Sequence, residues 1–486
     1  MTVCKVHKFK ICALLMVIGF VAGTVGAQPG SELIPLPPIT ITQLDNGLKV
    51  ILIEQHRLPM VHLEMWIRAG SAYDPPEKAG LADFTALMLT HGTERRTAEE
   101  ISDLIDSIGG ELSTRAEVDR SVLTVRVLKK DAQKGLDLFA DIVQRPNFHQ
   151  GEIPLVRSQL GSSVLRTQDV SQALMTEHLR FALFGKAHPL GNIMNLKALR
   201  AMSRYDLVNF YQAYYHPNNA ILAVAGDIKP NEVLNKIKKA FGSWAKGEIP
   251  KLELSEASLK GYKVRFVDKA EQTQLQMGLA HFGLAVTDSD YIPVLLANYV
   301  LGGGVFSSRL LNTVRSQAGR TYVIASAFRS YAFPGYFQIT TATRNEQALS
   351  TLQLVLEEFK KFKSNGITAE ELKAAQDNIA GSYILRLEAL AGLTASVLNA
   401  EFYGFGLERI RNFKKLVRSY TLEQVNQTIQ RRFDPNNLVI VLLGDKKVLQ
   451  GRKELIPGIP VEQIGFVDWR DPVMREAIPY HEFMKP

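Results

Sequence analysis

The chain has 486 residues, 46% of them hydrophobic and 22% charged, which is too long for one ordinary core and predicts roughly two to four domains. That balance excludes a disordered chain and a polytopic membrane protein. The formal net charge of +8 is spread too thinly over this length to argue for nucleic-acid binding.

Taken in chain order, the first feature is a basic start, Lys5, His7, Lys8 and Lys10, followed by an apolar run from Ile11 to Gly23 and the small residues Val25, Gly26 and Ala27. This pattern predicts a secretory signal peptide over residues 1–27, with an apolar run short for a bilayer span. Its removal takes away three lysines and no acid, so the mature chain falls from +8 to +5 and keeps no transmembrane span. Cys4 and Cys12 leave with it, so the mature chain has neither thiols nor disulfides. The expected location is exported, and periplasmic in a Gram-negative host.

"GLADFTALMLTHGT" (80–93) reads as an apolar helix closed by Gly-Thr. Thr97 and Glu100 then form a capping box, and Ile101, Leu104, Ile105 and Ile108 make one apolar stripe ending at Gly109 and Gly110. Leu123, Val125 and Val127 alternate with Thr124 and Arg126, the period of a half-covered strand. An internal repeat orders the rest. "HPNNAILAVAGD" (216–227) returns as "DPNNLVIVLLGD" (434–445), each a turn followed by a buried strand. Capped helices starting at Ser203 and Thr421 precede the two copies, and "GLKVILIEQ" (47–55) resembles "GYKVRFVDK" (261–269). Thr368 and Glu371 cap a further helix. The period is too long for a solenoid and predicts two similar halves.

Strands followed by blocks of helix give an α+β fold, each half a mainly antiparallel sheet with helices packed on one face. The predicted division is residues 1–27 signal peptide, 28–246 first domain, 247–259 linker, 260–470 second domain and 471–486 extended tail. The basic stretch Arg411 to Arg418 reads as a solvated helix face.

Gly-Leu-Ala with its helix and Gly-Thr, then "IGGEL", "HPLG" and "HPNNAILAVAGD", in this order, resemble the M16 (pitrilysin/insulinase) peptidases, in particular their two-domain subgroup similar to mitochondrial processing peptidase. The resemblance covers residues 40 to 470 and implies two homologous domains in a half-clamshell. Active members carry His-x-x-Glu-His on this helix, two imidazoles four residues apart on one face holding zinc and a carboxylate activating the metal-bound water. The resemblance puts Asp83 and Leu87 at the histidine positions and Ala86 at the glutamate. The third ligand, a glutamate further along, falls near Ser163, in a stretch without a carboxylate. His62, His91, the pair Glu177 and His178, and His188 offer no ligand spacing. The expectation is therefore no catalytic residue, no metal and no cofactor on this chain.

The second half differs. "LGGGVFSSRLLNTVRSQAGRTYV" (301–323) resembles the family's second-domain pattern, with Arg315 and Tyr322 at the positions of its substrate-binding Arg/Tyr pair. A guanidinium can hold peptide carbonyls and a phenol can hydrogen-bond a developing oxyanion. Gly302, Gly303 and Gly304, ahead of the helix carrying Arg309, read either as a plain turn or as a short form of a glycine-rich substrate loop. The resemblance implies a non-catalytic, substrate-binding subunit of a heterodimeric metalloendopeptidase, paired with a homologous subunit that bears His-x-x-Glu-His and the zinc. The alternative is a structural scaffold subunit of an envelope complex with no role in proteolysis.

Overall fold

The computed structural model describes residues 33–304 and 307–470. The expected signal peptide and the expected tail lie outside them. Two six-stranded sheets organise the chain. The first is built from β1 (Ile39–Gln43), β2 (Lys49–Glu54), β3 (Met60–Ile67), β4 (Glu111–Ala116), β5 (Ser121–Leu128) and β6 (Ala220–Gly226), in the order β1-β2-β6-β3-β5-β4. The second uses β7 (Tyr262–Asp268), β8 (Gln274–Phe282), β9 (Ile324–Arg329), β10 (Tyr336–Arg344) and β11 (Leu438–Gly444). A two-stranded ribbon of β12 (Glu454–Ile456) and β13 (Ile459–Pro460) then leads to β14 (Gly465–Asp468). The order of the second sheet is β14-β7-β11-β8-β10-β9.

The repeat read in the sequence is the repeat of the sheets. β2 and β6 run parallel, Lys49 opposite Ile221, and so do β7 and β11, Tyr262 opposite Leu438. The other pairings of the first sheet are antiparallel. Every residue of β6 and of β11 is buried, which is why both read as unbroken apolar runs. The Gly-Asp stop also has a cause: Gly226 holds φ +125°, and a Cβ there would lie 2.1 Å from the Met60 carbonyl oxygen. The two sheets differ at their first place, where β1 is antiparallel to β2 but β14 is parallel to β7.

Helices of the first half are α1 (Leu81–Met88), α2 (Ala98–Ser107), α3 (Ala132–Gln144), α4 (Ile153–Asp169), α5 (Ser171–Phe184), α6 (Leu196–Ala201), α7 (Arg204–Tyr214) and α8 (Pro230–Phe241). The second half opens with α9 (Tyr291–Asn298), α10 (Ala348–Asn365), α11 (Ala369–Glu388) and α12 (Leu390–Phe402). The capping boxes at Thr97/Glu100 and Thr368/Glu371 are formed, each with both reciprocal bonds. One face of the first sheet, carrying Val50, Leu52, Leu63, Met65, Leu222 and Val224, packs in one core with that half's own helices. This is the expected layer of helices on one face.

The opposite faces are closed by exchange. Ile51, Ile53, Trp66, Ala223 and Ala225 of the first sheet join Val397, Leu398 and Phe402 of α12. Conversely, Leu174, Met175, Leu179 and Leu183 of α5 cover Val439, Val441 and Leu443 of β11. Burying each such side chain is worth about 1.5–3 kcal/mol, so neither sheet reaches its full burial without the other half. Polar contacts follow the same seam: Lys49 pairs with Glu401 at 2.8 Å, and the Arg68 guanidinium donates to the Phe402 carbonyl while lying 4.0 Å from that ring's centre. Residues 247–259, which join the halves, hold neither helix nor strand. No described helix is long and apolar enough to cross a membrane.

Candidate functional site

The first candidate is α1. Its N-terminus is held from upstream by Asp74, whose carboxylate accepts from the backbone N–H of Gly80 at 2.7 Å and of Ala82 at 2.8 Å. Burial drives the Asp74 carboxyl well above its usual range, against those bonds. Leu81, Ala82, Phe84 and Met88 face the core, while Asp83 and Leu87, one turn apart, share the half-open side. Asp83 has no cationic partner among the described residues, and desolvation pushes its carboxyl up to about 6. Ala86 is buried and carries no polar group. Ser163, on α4, is exposed.

The histidines are committed elsewhere. His62 is buried in β3 with its Nε2 2.9 Å from Glu64, which also accepts from the Trp66 indole at 2.7 Å. His91 bonds Glu152 at 2.9 Å. Burial beside Arg265 drives His178 down to about 3. The His188 ring stacks on Phe184 with centroids 4.5 Å apart. Among the described residues no three His, Cys, Asp or Glu side chains converge where a metal ion could sit.

The Arg/Tyr pair lies on the second half. Arg315 stands in the wide, π-type helical turns Leu311–Gln317, and Tyr322 is in the segment that enters the edge strand β9. The fold brings them together: the guanidinium carbon lies 5.1 Å from the centre of the Tyr322 ring, a cation–π distance. Tyr322 is 81% exposed, an unusual place for a large aromatic with nothing to cover it. No carboxylate of the described residues pairs with Arg315, so its donors stay available. Arg309, by contrast, is spent on structure, forking onto Glu371 with both distances 2.7 Å and reaching the Gly366 carbonyl at 2.9 Å.

Of the glycines, Gly302 serves packing. A Cβ there would come within 2.5 Å of the Ser326 Oγ on β9, so the turn Tyr299–Gly303 can press on the strand only with glycine at this point. Gly303 is exposed, and Gly304 closes the turn with its N–H on the Tyr299 carbonyl at 2.9 Å. Asn298 ties turn and strand together, donating to the Ser326 carbonyl at 3.0 Å and accepting from its hydroxyl at 2.7 Å. At the far edge of the first sheet β4 is open, since its outward backbone groups have no described backbone partner.

A cavity between the halves, which the sequence reading missed, is walled by Trp66 and Arg120 of the first half and by Tyr291, Tyr383, Arg386 and Arg409 of the second. These residues come from separate elements and form no motif, so no local signal announces them.

The architecture thus defines a two-domain α+β protein of repeated six-stranded sheets with exchanged helices. Residues 49–195 match the model of the insulinase family, peptidase family M16, and residues 201–379 match that of the peptidase M16 inactive domain. The chain belongs to the M16 family. It is 28% identical over 347 residues to the uncharacterized zinc protease YmxG of Bacillus subtilis, covering 71% of this chain and 83% of that protein. It is 26% identical over 407 residues to the non-peptidase homolog YmxG of Helicobacter pylori, covering 82% and 92%. Among solved structures it is similar to a peptidase M16 inactive domain from Pseudomonas fluorescens, with a TM-score of 0.78, 26% identity and coverage of 84% and 98%. Zinc is the metal this family implies, and the donor set at α1 does not fit it: one carboxylate, a methyl and an isobutyl group stand where two imidazoles and a general base are required.

Proposed function

We propose that this chain is the non-catalytic, substrate-binding subunit of a heterodimeric M16-type zinc metallopeptidase, paired with a homologous subunit that carries His-x-x-Glu-His and holds the metal. The observation that carries this reading is the contrast between the two halves. The face of α1 offers one carboxylate and neither imidazole nor general base, while Arg315 and Tyr322 sit together, solvent-accessible and with no carboxylate partner among the described residues. In this reading the Arg315 guanidinium would bind peptide carbonyls and the Tyr322 hydroxyl would donate to the scissile carbonyl oxygen as it gains charge, the zinc on the partner supplying the activated water. The open edge of β4 supports binding of peptide as an added strand, which selects for extended backbone more than for one side chain. In this proposal the partner holds the zinc, the substrate is a peptide and the pair acts after export.

The test is reconstitution. The chain is mixed with a co-purifying His-x-x-Glu-His homologue and the turnover of an extended peptide is followed. Arg315→Ala is expected to lower kcat/KM by about 10- to 100-fold, the loss of one or two charge-assisted hydrogen bonds. Turnover unchanged by Arg315→Ala would reject the clamp. Co-purification with membrane-complex subunits and with no such homologue would favour the scaffold alternative.

A further inference from the structure

The cavity between the halves measures about 560 Å³, within the size range of small-ligand sites, about 300–1,000 Å³. Trp66 on β3, Ile292 on α9 and Ala400 on α12 form its buried floor, and solvent reaches it past Arg115, Ser382 and Arg386, which are exposed. By their order in the repeat, α9 and α11 stand in the second half where α1 and α4 stand in the first. The cavity therefore occupies the second half's counterpart of the degenerate metal site.

Its charges do not balance. Arg115 and Arg120 are both paired with Glu117, and Arg120 also with Asp119. Glu64 is taken by His62 and the Trp66 indole. Arg386 on α11 and Arg409 in the short helix Leu407–Arg411 have no carboxylate partner among the described residues. Arg409 is half-buried, 4.8 Å from the centre of the Phe405 ring, and desolvation draws its pKa below the usual value. A cation removed from water without an anion is costly to the fold, and a ligand anion would relieve that cost. Tyr291 and Tyr383 lie near both guanidiniums, and the Tyr383 ring is fixed by stacking on Phe413 at 3.9 Å.

We propose that this cavity binds a carboxylate-bearing group the size of one or two amino-acid residues, its charge held by Arg386 and Arg409 and its apolar part laid against Trp66, Tyr383 and Phe405. The aromatic share of the wall argues for an organic acid over a bare inorganic anion. In a peptide the carboxylate comes from the C-terminus or from an acidic side chain, and the two sources are separable. Binding here needs neither a partner subunit nor cleavage, so it stands or falls apart from the Arg315 and Tyr322 clamp.

The test is calorimetry and Trp66 fluorescence on the purified chain with four probes: N-acetyl-Phe-Phe as the free acid, the same dipeptide as its amide, N-acetyl-Glu-Phe amide, and inorganic phosphate. One or both carboxylate-bearing dipeptides are expected to bind at least tenfold tighter than the uncharged amide, with a change in indole emission. Which of the two binds identifies the source of the carboxylate. Arg386→Gln together with Arg409→Gln is expected to remove that preference. Arg386→Gln alone, on an exposed position, should weaken it severalfold and keeps the test sound if the double variant does not fold. Equal binding of acid and amide, phosphate binding as tightly as the dipeptides, an effect indifferent to both arginines, or no binding at all would overturn the proposal.

Discussion

Asp83 makes the stability of the fold depend on pH. In the unfolded chain its carboxyl titrates near the ordinary value, whereas in the fold desolvation moves it up to about 6. Between those two values the folded chain holds the additional proton, so this group lowers stability as pH rises from about 4 to 6 and keeps it lower above that. Asp83→Asn is expected to stabilise the chain by about 1–3 kcal/mol at pH 8 and to do almost nothing near pH 3, below the ordinary carboxyl value. Urea denaturation at both pH values checks it, and an equal gain at both would mean that the charge is not what matters. At the same scale, Tyr322→Phe is expected to lower turnover by the reconstituted pair by about tenfold while leaving the denaturation midpoint alone, since the hydroxyl is outside the core. Arg315 and Tyr322 were legible because they stand seven residues apart inside one continuous pattern. Arg386 and Arg409 were not, because a charge on a helix face reads as solvated until the fold shows what it faces.

At the scale of elements, caps and periods in the sequence located most of the pieces. The capping boxes at Thr97, Thr368 and Thr421 each start a helix at the next residue, and the Pro-Asn-Asn turns each lead into a buried strand. What patterning could not supply is the address of a helix. α5 and α12 each carry an apolar stripe, but a stripe does not say which sheet it will cover. The structure sends both across the seam. Leu179→Ala on α5 is therefore expected to cost about 2–5 kcal/mol, and to do so in one transition seen equally by probes in either half. Val397→Ala on α12, equally buried, should behave alike at the lower end of that range. A biphasic unfolding curve in which only one half loosens would contradict this coupling.

For the molecule as a whole, residues 253–256 are exposed and belong to no helix or strand, so a protease site placed there should be cut readily. The two fragments are expected to stay together through gel filtration without denaturant, because the exchanged helices and the Lys49–Glu401 contact cross the cut. Separation of the fragments would show that the seam is weaker than its packing implies. The twofold repeat was legible because its strands are short, buried and flanked by rigid turns. The cavity was not, since it exists only once the two copies have been brought face to face.

The crossing helices also set a timetable. During synthesis β6 is complete long before α12 has been made, and until then Ile51, Ile53, Ala223 and Ala225 present an apolar sheet face with nothing to lie on it. Contacts so distant along the chain form late and slowly, and an uncovered sheet face is prone to aggregate. The nascent first half is thus a client for any factor that shields apolar surface, and its need ends only when the polypeptide has grown past residue 402.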